Sequence, residues 1–90
     1  MKLTTIYERE LQELKDWDTV EHTRDVYGFE FIVTAGHGYL VVPISNPMFY
    51  IAKDIVQYGF KGKKAIYLEE DVEAGEFLTA IGAINRTSKE

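Results

Sequence analysis

The chain has 90 residues, of which 46% are hydrophobic, 13% aromatic and 28% charged, with no cysteine and a formal net charge of −5. This composition predicts one folded domain and excludes disulfide bonds and thiolate metal or redox sites. No apolar run approaches the ~18 residues that a membrane-spanning helix needs. Glu8 and Arg9 come before any apolar segment could form a secretory signal, so we expect neither a membrane segment nor a signal peptide.

The charge is distributed unevenly along the chain. Residues 31–68 carry four basic and one acidic side chain, whereas residues 69–90 carry two basic and six acidic ones. Residues 1–30 are acidic as well, with eight acidic and four basic side chains. Phosphate binding by a nucleic-acid protein needs clustered Lys and Arg, so we expect no direct nucleic-acid binding. The acidic ends serve either solubility or attraction to a positively charged protein surface.

The N-terminal segment has the pattern of a helix. Thr5 and Glu8 have the spacing of a capping box. Apolar residues then recur at helical spacing, at Tyr7, Leu11 and Leu14. We expect Trp17 to anchor this helix to the core, because a tryptophan buries a large apolar area. The polar stretch Asp18–Asp25 is either a loop or a short edge strand.

Two β-hairpins are predicted from alternation and turn residues. Phe29, Phe31 and Val33 alternate along one strand, and Tyr39–Ile44 forms the return strand after a tip at Gly36–Gly38. Tyr58–Phe60 and Ala65–Leu68 flank the basic tip of the second hairpin, Lys61-Gly62-Lys63-Lys64.

The remaining helices follow from cap residues and apolar stripes. Asn46 or Ser45 caps a middle helix with Pro47 in its first turn, and Gly59 ends it. Asp71 caps a last helix. That helix carries an apolar face formed by Ala74, Phe77, Leu78 and Ile81. We therefore predict a single α+β domain over residues 1–85, in the order α-β-β-α-β-β-α, with a frayed tail at 86–90. The two hairpins form one antiparallel sheet, and the helices pack on one of its faces.

The sequence presents several candidate binding elements but no evident catalytic set. His37 between Gly36 and Gly38 is either a ligand contact beside Tyr39 or a turn that happens to contain a histidine. An acidic run of five carboxylates consists of Glu69, Glu70 and Asp71, followed by Glu73 and Glu76. It is either a cap, Asp71, with acids in the first turn of the last helix, or a charged contact surface. Two histidines in the chain and the spacing of these acids predict no metal site. Without a cysteine, and with Ser45 explained as a cap, we expect neither an enzyme nor a cofactor.

Two segments resemble known sequences when they are taken together. They are Gly36-His-Gly-Tyr-Leu-Val-Val42 and Ile66-Tyr-Leu-Glu-Glu-Asp-Val-Glu-Ala-Gly-Glu-Phe-Leu78. This pair resembles a group of small uncharacterised proteins of tailed bacteriophages and prophages, over about Tyr27 to Gly82. In that group a cysteine often follows the Glu-Glu-Asp segment, and here Val72 stands in its place. The resemblance implies a phage accessory protein expressed in the cytoplasm of a host bacterium.

Two functions follow as hypotheses. The first is a protein that inhibits or modulates a host factor, such as a defence system, by binding to its basic surface without catalysis. The alternative is an oligomeric sponge for a nucleotide-like signal, built from the Gly36–Gly38 tip, Tyr39 and the lysines of the second tip, Lys61, Lys63 and Lys64. We also expect a homodimer that uses the sheet edge or its aromatic face, because so small a domain cannot bury all its aromatic residues.

Overall fold

A computed structural model of the chain describes residues 5–14 and 20–84. These residues form three helices and five strands. In chain order they are α1 (Ile6–Leu14), β1 (Val20–Val26), β2 (Phe29–Thr34), β3 (Gly38–Pro43), α2 (Phe49–Ile55), β4 (Phe60–Lys61), β5 (Ala65–Glu69) and α3 (Glu73–Ala80). The α+β class and both predicted hairpins are confirmed. Trp17 and the predicted tail at 86–90 lie outside the described residues.

The five strands form one sheet in the order β1-β2-β3-β5-β4, and every neighbouring pair is antiparallel. The polar stretch that the sequence leaves open as loop or edge strand is the edge strand β1. A two-residue turn joins β1 to β2, with Tyr27 at φ 52° and Gly28 at φ 87°. These positive angles are those of a tight hairpin turn, which is why a glycine stands at the second position.

The main hydrophobic core lies between one face of the sheet and helices α2 and α3. Alternate residues of the strands supply the sheet side of this core, and both helices cover it. Its fully or nearly buried members are Phe31, Leu40, Val42, Ala52, Ile66, Leu68, Ala74, Phe77 and Leu78. The predicted apolar face of the last helix is confirmed, since Ile81 also packs against this cluster.

A second core lies on the opposite face of the sheet, under α1. Leu11 is 1% exposed and packs against the strand residues Ile32, Tyr39, Val41, Ala65 and Tyr67. Helices therefore cover both faces, whereas the sequence pattern predicted only one covered face. The strands with apolar residues at successive positions, such as Leu40–Val42, require this arrangement because successive side chains point to opposite faces.

The predicted helix starts are confirmed only in part. The Glu8 N–H donates to Thr5 Oγ1 at 3.1 Å, so Thr5 caps α1 as expected. Asn46 Oδ1 accepts the Met48 N–H at 2.8 Å in the turn before α2. The predicted cap and end of this helix are nevertheless wrong: Met48 occupies the cap position in place of Asn46 or Ser45, and the helix ends at Ile55 before Gly59 is reached. The prediction that Asp71 caps α3 is wrong. Val72 occupies the cap position without a side-chain cap bond, and the Asp71 N–H donates to Glu69 Oε1 at 3.4 Å.

Candidate functional site

The structure brings the first hairpin tip and the acidic run together. Residue Tyr39 of β3 pairs with Glu69 of β5, so the tip before β3 lies beside the end of β5. His37 Nδ1 lies 3.1 Å from Glu69 Oε2, and the Glu70 N–H donates to the carbonyl of Gly38 at 2.9 Å. We call this region the acidic end of the sheet, comprising Glu69, Glu70, Asp71 and Glu76 with His37 beside them.

Gly38 has a packing role at the acidic end. A Cβ at this position would lie 2.6 Å from Phe31 Cζ and 2.8 Å from Glu70 Oε1. No heavy atom outside its chain neighbours would lie within 4 Å of a Cβ on Gly36. The two glycines that flank His37 are therefore not equivalent, and only Gly38 is demanded by close approach.

Tyr39 does not lie on the surface of the tip. Its side chain is 3% exposed and faces α1, with its ring centroid 5.8 Å from that of Phe60. His37 is the exposed aromatic group here, with its ring centroid 6.1 Å from that of Tyr39. Tyr39 is therefore a core residue, and the chain does not present it to a ligand beside His37.

The second hairpin tip lies at the other end of the sheet. Pro43, the last residue of β3, pairs with Ala65, the first residue of β5. The tip before Ala65, Lys61–Lys64, is therefore separated from the acidic end by the length of β5, roughly 15–20 Å at ~3.3 Å per residue. We call Lys61–Lys64 the basic tip. Within one chain the two hairpin tips therefore lie too far apart to form one pocket. The nucleotide-sponge hypothesis requires both tips in one pocket, so it requires an oligomer.

The basic tip is fastened to α1 by a buried carboxylate. Glu10 is 8% exposed and accepts hydrogen bonds from the Lys63 N–H at 2.6 Å and the Lys64 N–H at 3.1 Å. The Tyr67 hydroxyl donates to the same carboxylate at 2.6 Å. Burial raises the pKa of Glu10, but the bonds from Tyr67, Lys64 and Lys63 outweigh it and leave this pKa below its ordinary value. Burial, and then the bond to Glu10, raise the pKa of Tyr67 well above its ordinary range.

A second buried carboxylate fastens the acidic end from inside. Glu73, in the first turn of α3, is 2% exposed. Its oxygens accept backbone N–H groups from Gln57 at 2.7 Å, from Gly59 at 3.0 Å and from Glu69 at 3.2 Å, as well as from Tyr58. Glu73 therefore holds the loop after α2 against the end of β5, and it is not available to an external ligand.

Next to Glu73, the outer side of α3 carries an open groove of about 470 Å³. Its lining consists of Asp71, Val72, Glu76, Thr79 and Ala80. Val72 is 49% exposed, and Asp71 and Glu76 are exposed carboxylates that form no ion pair with another residue of the described ranges. The lining of the groove thus combines apolar side chains with two negative charges.

The acidic end contains residue types that can bind metals, but its described side chains are not arranged as a metal centre. Within residues 5–14 and 20–84, no group of three His, Asp or Glu side chains is placed to hold a metal ion. No helix in the same ranges is long and apolar enough to cross a bilayer.

Comparisons of the chain with known protein families, with curated proteins and with solved structures return no match.

Sequence reasoning did not single out Glu10, and it placed Glu73 only as a first-turn acid or as part of a charged surface. A signal for the burial of both side chains was nevertheless present. Glu10 lies at i+3 from Tyr7 and beside Leu11, which puts it on the apolar face of α1. Glu73 precedes Phe77 by four residues, which puts it on the apolar face of α3. An acid on an apolar helix face needs buried donors, so these positions predict internal hydrogen-bond acceptors.

Proposed function

We propose that the protein is a binding module that acts by occupying a basic surface of another protein, without turnover. The observation that carries this proposal is the groove on α3, which Asp71, Glu76 and the exposed Val72 line together. Lys and Arg side chains have apolar stems and charged heads. A partner's Lys or Arg can therefore lay its stem on Val72 while its head meets a carboxylate.

The surroundings of the groove favour the same kind of partner. Glu70 is exposed at the acidic end, and the Glu69 side chain is 18% exposed where it contacts His37. Exposed carboxylates on one side of the molecule steer a positively charged partner toward that side and raise the association rate at low salt. Tyr58, 69% exposed, lies in the loop that Glu73 holds and adds an aromatic contact.

Action by occupancy is supported by the placement of the reactive groups. His37 contacts the carboxylate of Glu69 at the start of β3, whereas Ser45 follows the opposite end of that strand. A histidine and a hydroxyl nucleophile need to lie within hydrogen-bond reach of each other for nucleophilic catalysis. The chain separates this pair.

The resemblance to phage proteins gives the proposal its biological setting. On this proposal, the partner is a protein of the host bacterium, such as a component of a defence system, and binding takes place in the host cytoplasm. The chemistry that identifies the partner is an exposed cluster of Lys or Arg beside an apolar patch.

The proposal is tested by affinity capture from bacterial lysate at low salt with three baits. They are the natural chain, the Asp71→Asn/Glu76→Gln double variant, and Asp54→Asn, which removes an exposed acid from α2 instead. We expect at least one host protein to be captured by both the natural chain and Asp54→Asn. The double variant should fail to capture it. A protein retained equally by all three baits, or no retained protein, would contradict the proposal.

A further inference from the structure

The basic tip already holds an oxyanion, which is the carboxylate of Glu10. The Lys63 N–H donates to Glu10 Oε2 at 2.6 Å, and the Lys64 N–H donates to both carboxylate oxygens at 3.1 Å. The Tyr67 hydroxyl completes the set at 2.6 Å from Oε1. Consecutive backbone amides that converge on one acceptor form a concave anion-binding site. The donors come from the β4–β5 hairpin, whereas the acceptor comes from a helix 53 positions away in sequence.

The backbone of the basic tip is shaped around this oxyanion. A Cβ at position 62 would lie 2.5 Å from Glu10 Cδ and 2.9 Å from Tyr67 Cε1, so only a glycine lets the tip come this close. The side chains of Lys61, Lys63 and Lys64 at this tip are exposed, and none forms an ion pair with another residue among those described. The tip thus carries three ammonium groups, whereas its backbone site is filled by a single negative charge.

The Glu10 carboxylate is held in this site by a helix that can move away from the tip. Glu10 is part of α1, a helix of nine residues, and so short a helix is marginal in water without its tertiary contacts. Movement of α1 off the tip, with Glu10, would free two amides and uncover the Tyr67 hydroxyl, whose residue is 0% exposed beneath α1. The hairpin need not unfold, because the strand hydrogen bonds between β4 and β5 do not involve α1.

We propose that the basic tip is a binding site for the phosphate group of a small-molecule ligand and that Glu10 is the internal competitor that occupies it in the free chain. A phosphate monoester carries close to two negative charges near neutral pH and three strong acceptor oxygens. It can use the same two amides and the Tyr67 hydroxyl, and it matches the three lysines better than one carboxylate does. This site is independent of the groove on α3, which lies on the other face of the sheet.

The competition makes a quantitative prediction about Glu10. When a competitor fills a site, the apparent dissociation constant rises in inverse proportion to the fraction of molecules in which the site is open. The Glu10→Gln variant keeps the size of the side chain but removes its charge and places an amide group among the donors. We expect this variant to bind inorganic phosphate about tenfold or more tightly than the natural chain, whereas Glu13→Gln, an exposed acid on the same helix, leaves the affinity unchanged.

The experiment is a titration of each full-length variant with inorganic phosphate at constant ionic strength, followed by amide NMR. We expect the largest shifts at the Lys63 and Lys64 amides. Equal affinities for Glu10→Gln and Glu13→Gln, or shifts that spare these two amides, would overturn the proposal. A parallel titration with adenosine monophosphate identifies the source: tighter binding than inorganic phosphate indicates a nucleotide ligand, and equal binding indicates recognition of the phosphate group alone.

A second variant keeps the test decisive should Glu10→Gln fold poorly. Lys63→Gln/Lys64→Gln leaves the backbone amides and Glu10 in place but removes two of the ammonium groups. We expect the phosphate-induced shifts of the natural chain to be lost in this double variant. Shifts of unchanged size would overturn the proposal.

Discussion

The Tyr67 hydroxyl donates a 2.6 Å hydrogen bond to the carboxylate of Glu10 across 57 positions of sequence, and both side chains are buried. This contact ties α1 to the strand β5 at the centre of the second core. Loss of either partner leaves the other unsatisfied in a site that water does not reach freely, which costs more than the bond itself contributes.

Glu10 and Tyr67 are therefore expected to be energetically coupled. We predict that Glu10→Gln lowers the free energy of unfolding by about 2 kcal/mol and Tyr67→Phe by about 1 kcal/mol. The double variant should lose less than the sum, with a coupling of about 0.5 kcal/mol or more. Urea unfolding of the four proteins measures this cycle. Glu13→Gln, at an exposed position of α1, is the control and should stay within about 0.5 kcal/mol of the natural chain. Additive losses would show that the contact is not made.

Glu10 lies in α1 and Glu30 contacts Thr5 at its start, but the two acids are expected to affect the pH dependence of stability in opposite ways. Burial raises the pKa of Glu30; the hydrogen bond from Thr5 opposes this, and the nearby Glu8 adds to it. The folded chain thus holds the Glu30 proton more tightly than the unfolded chain does, so Glu30 costs stability at neutral pH and this cost disappears as the pH falls below about 4.5. The pKa of Glu10 is lowered, so its contribution is present above about 4.5 and is lost as the pH falls through its folded value.

The two variants should consequently move in opposite directions. At pH 7, we predict that Glu30→Gln is more stable than the natural chain and Glu10→Gln less stable, and that both differences shrink in acid. Unfolding midpoints in urea across the acid range measure this. A Glu30→Gln variant that is less stable at pH 7 would contradict the assignment, because the amide oxygen of the new side chain can still accept the Thr5 hydroxyl.

The two glycines beside His37 give a further prediction. Gly38→Ala places a methyl group within 2.6 Å of Phe31 Cζ, and we expect a loss of about 1–3 kcal/mol in the free energy of unfolding from overpacking. Gly36→Ala meets no heavy atom beyond its neighbours within 4 Å and should change stability by less than about 1 kcal/mol. Thermal unfolding of the two variants measures the difference. Equal losses would show that the Gly-His-Gly segment is constrained by something other than packing against Phe31.

The expected homodimer can be tested at the free edge of the sheet. β1 is a seven-residue edge strand, and two copies paired antiparallel around Thr23 would place Glu21 opposite Asp25 of the other copy. Like charges directly opposite each other destabilise strand pairing, and salt screens them. We predict that dimerisation through β1 is stronger at high salt and that Glu21→Lys dimerises at low salt. Light scattering measures the mass, and 10.4 kDa for both proteins under all conditions would rule out this dimer.

The parts of the fold that could be predicted from the sequence are those with local signals. Alternation along Phe29–Val33 and the glycines at 36 and 38 predict the first hairpin because strand period and turn chemistry are local properties. Strand β1 is ambiguous in sequence because its outer positions are charged, and charges on an edge strand protect it from pairing with other chains.

The candidate site was only partly predictable, for a different reason. Glu69, Glu70 and Asp71 stand out in the sequence as acids, and the structure adds that His37 lies beside them. The roles of Glu10 and Glu73 depend on backbone amides of loops, and an amide donor carries no signature in the side-chain sequence. Tyr39 was expected at a binding surface because it follows the tip, but the strand alternation turns it toward α1.

On the proposed function, the groove on α3 is the surface that receives a basic partner. The most direct measurement is an amide NMR titration of the natural chain at low salt with a short peptide that contains two arginines and a leucine. We predict shifts concentrated at the residues that line the groove, Asp71, Val72, Glu76, Thr79 and Ala80, and their loss in Asp71→Asn/Glu76→Gln. Shifts spread evenly over exposed acids elsewhere, such as Glu13, Glu21 and Asp54, or the same shifts in the double variant, would contradict the claim.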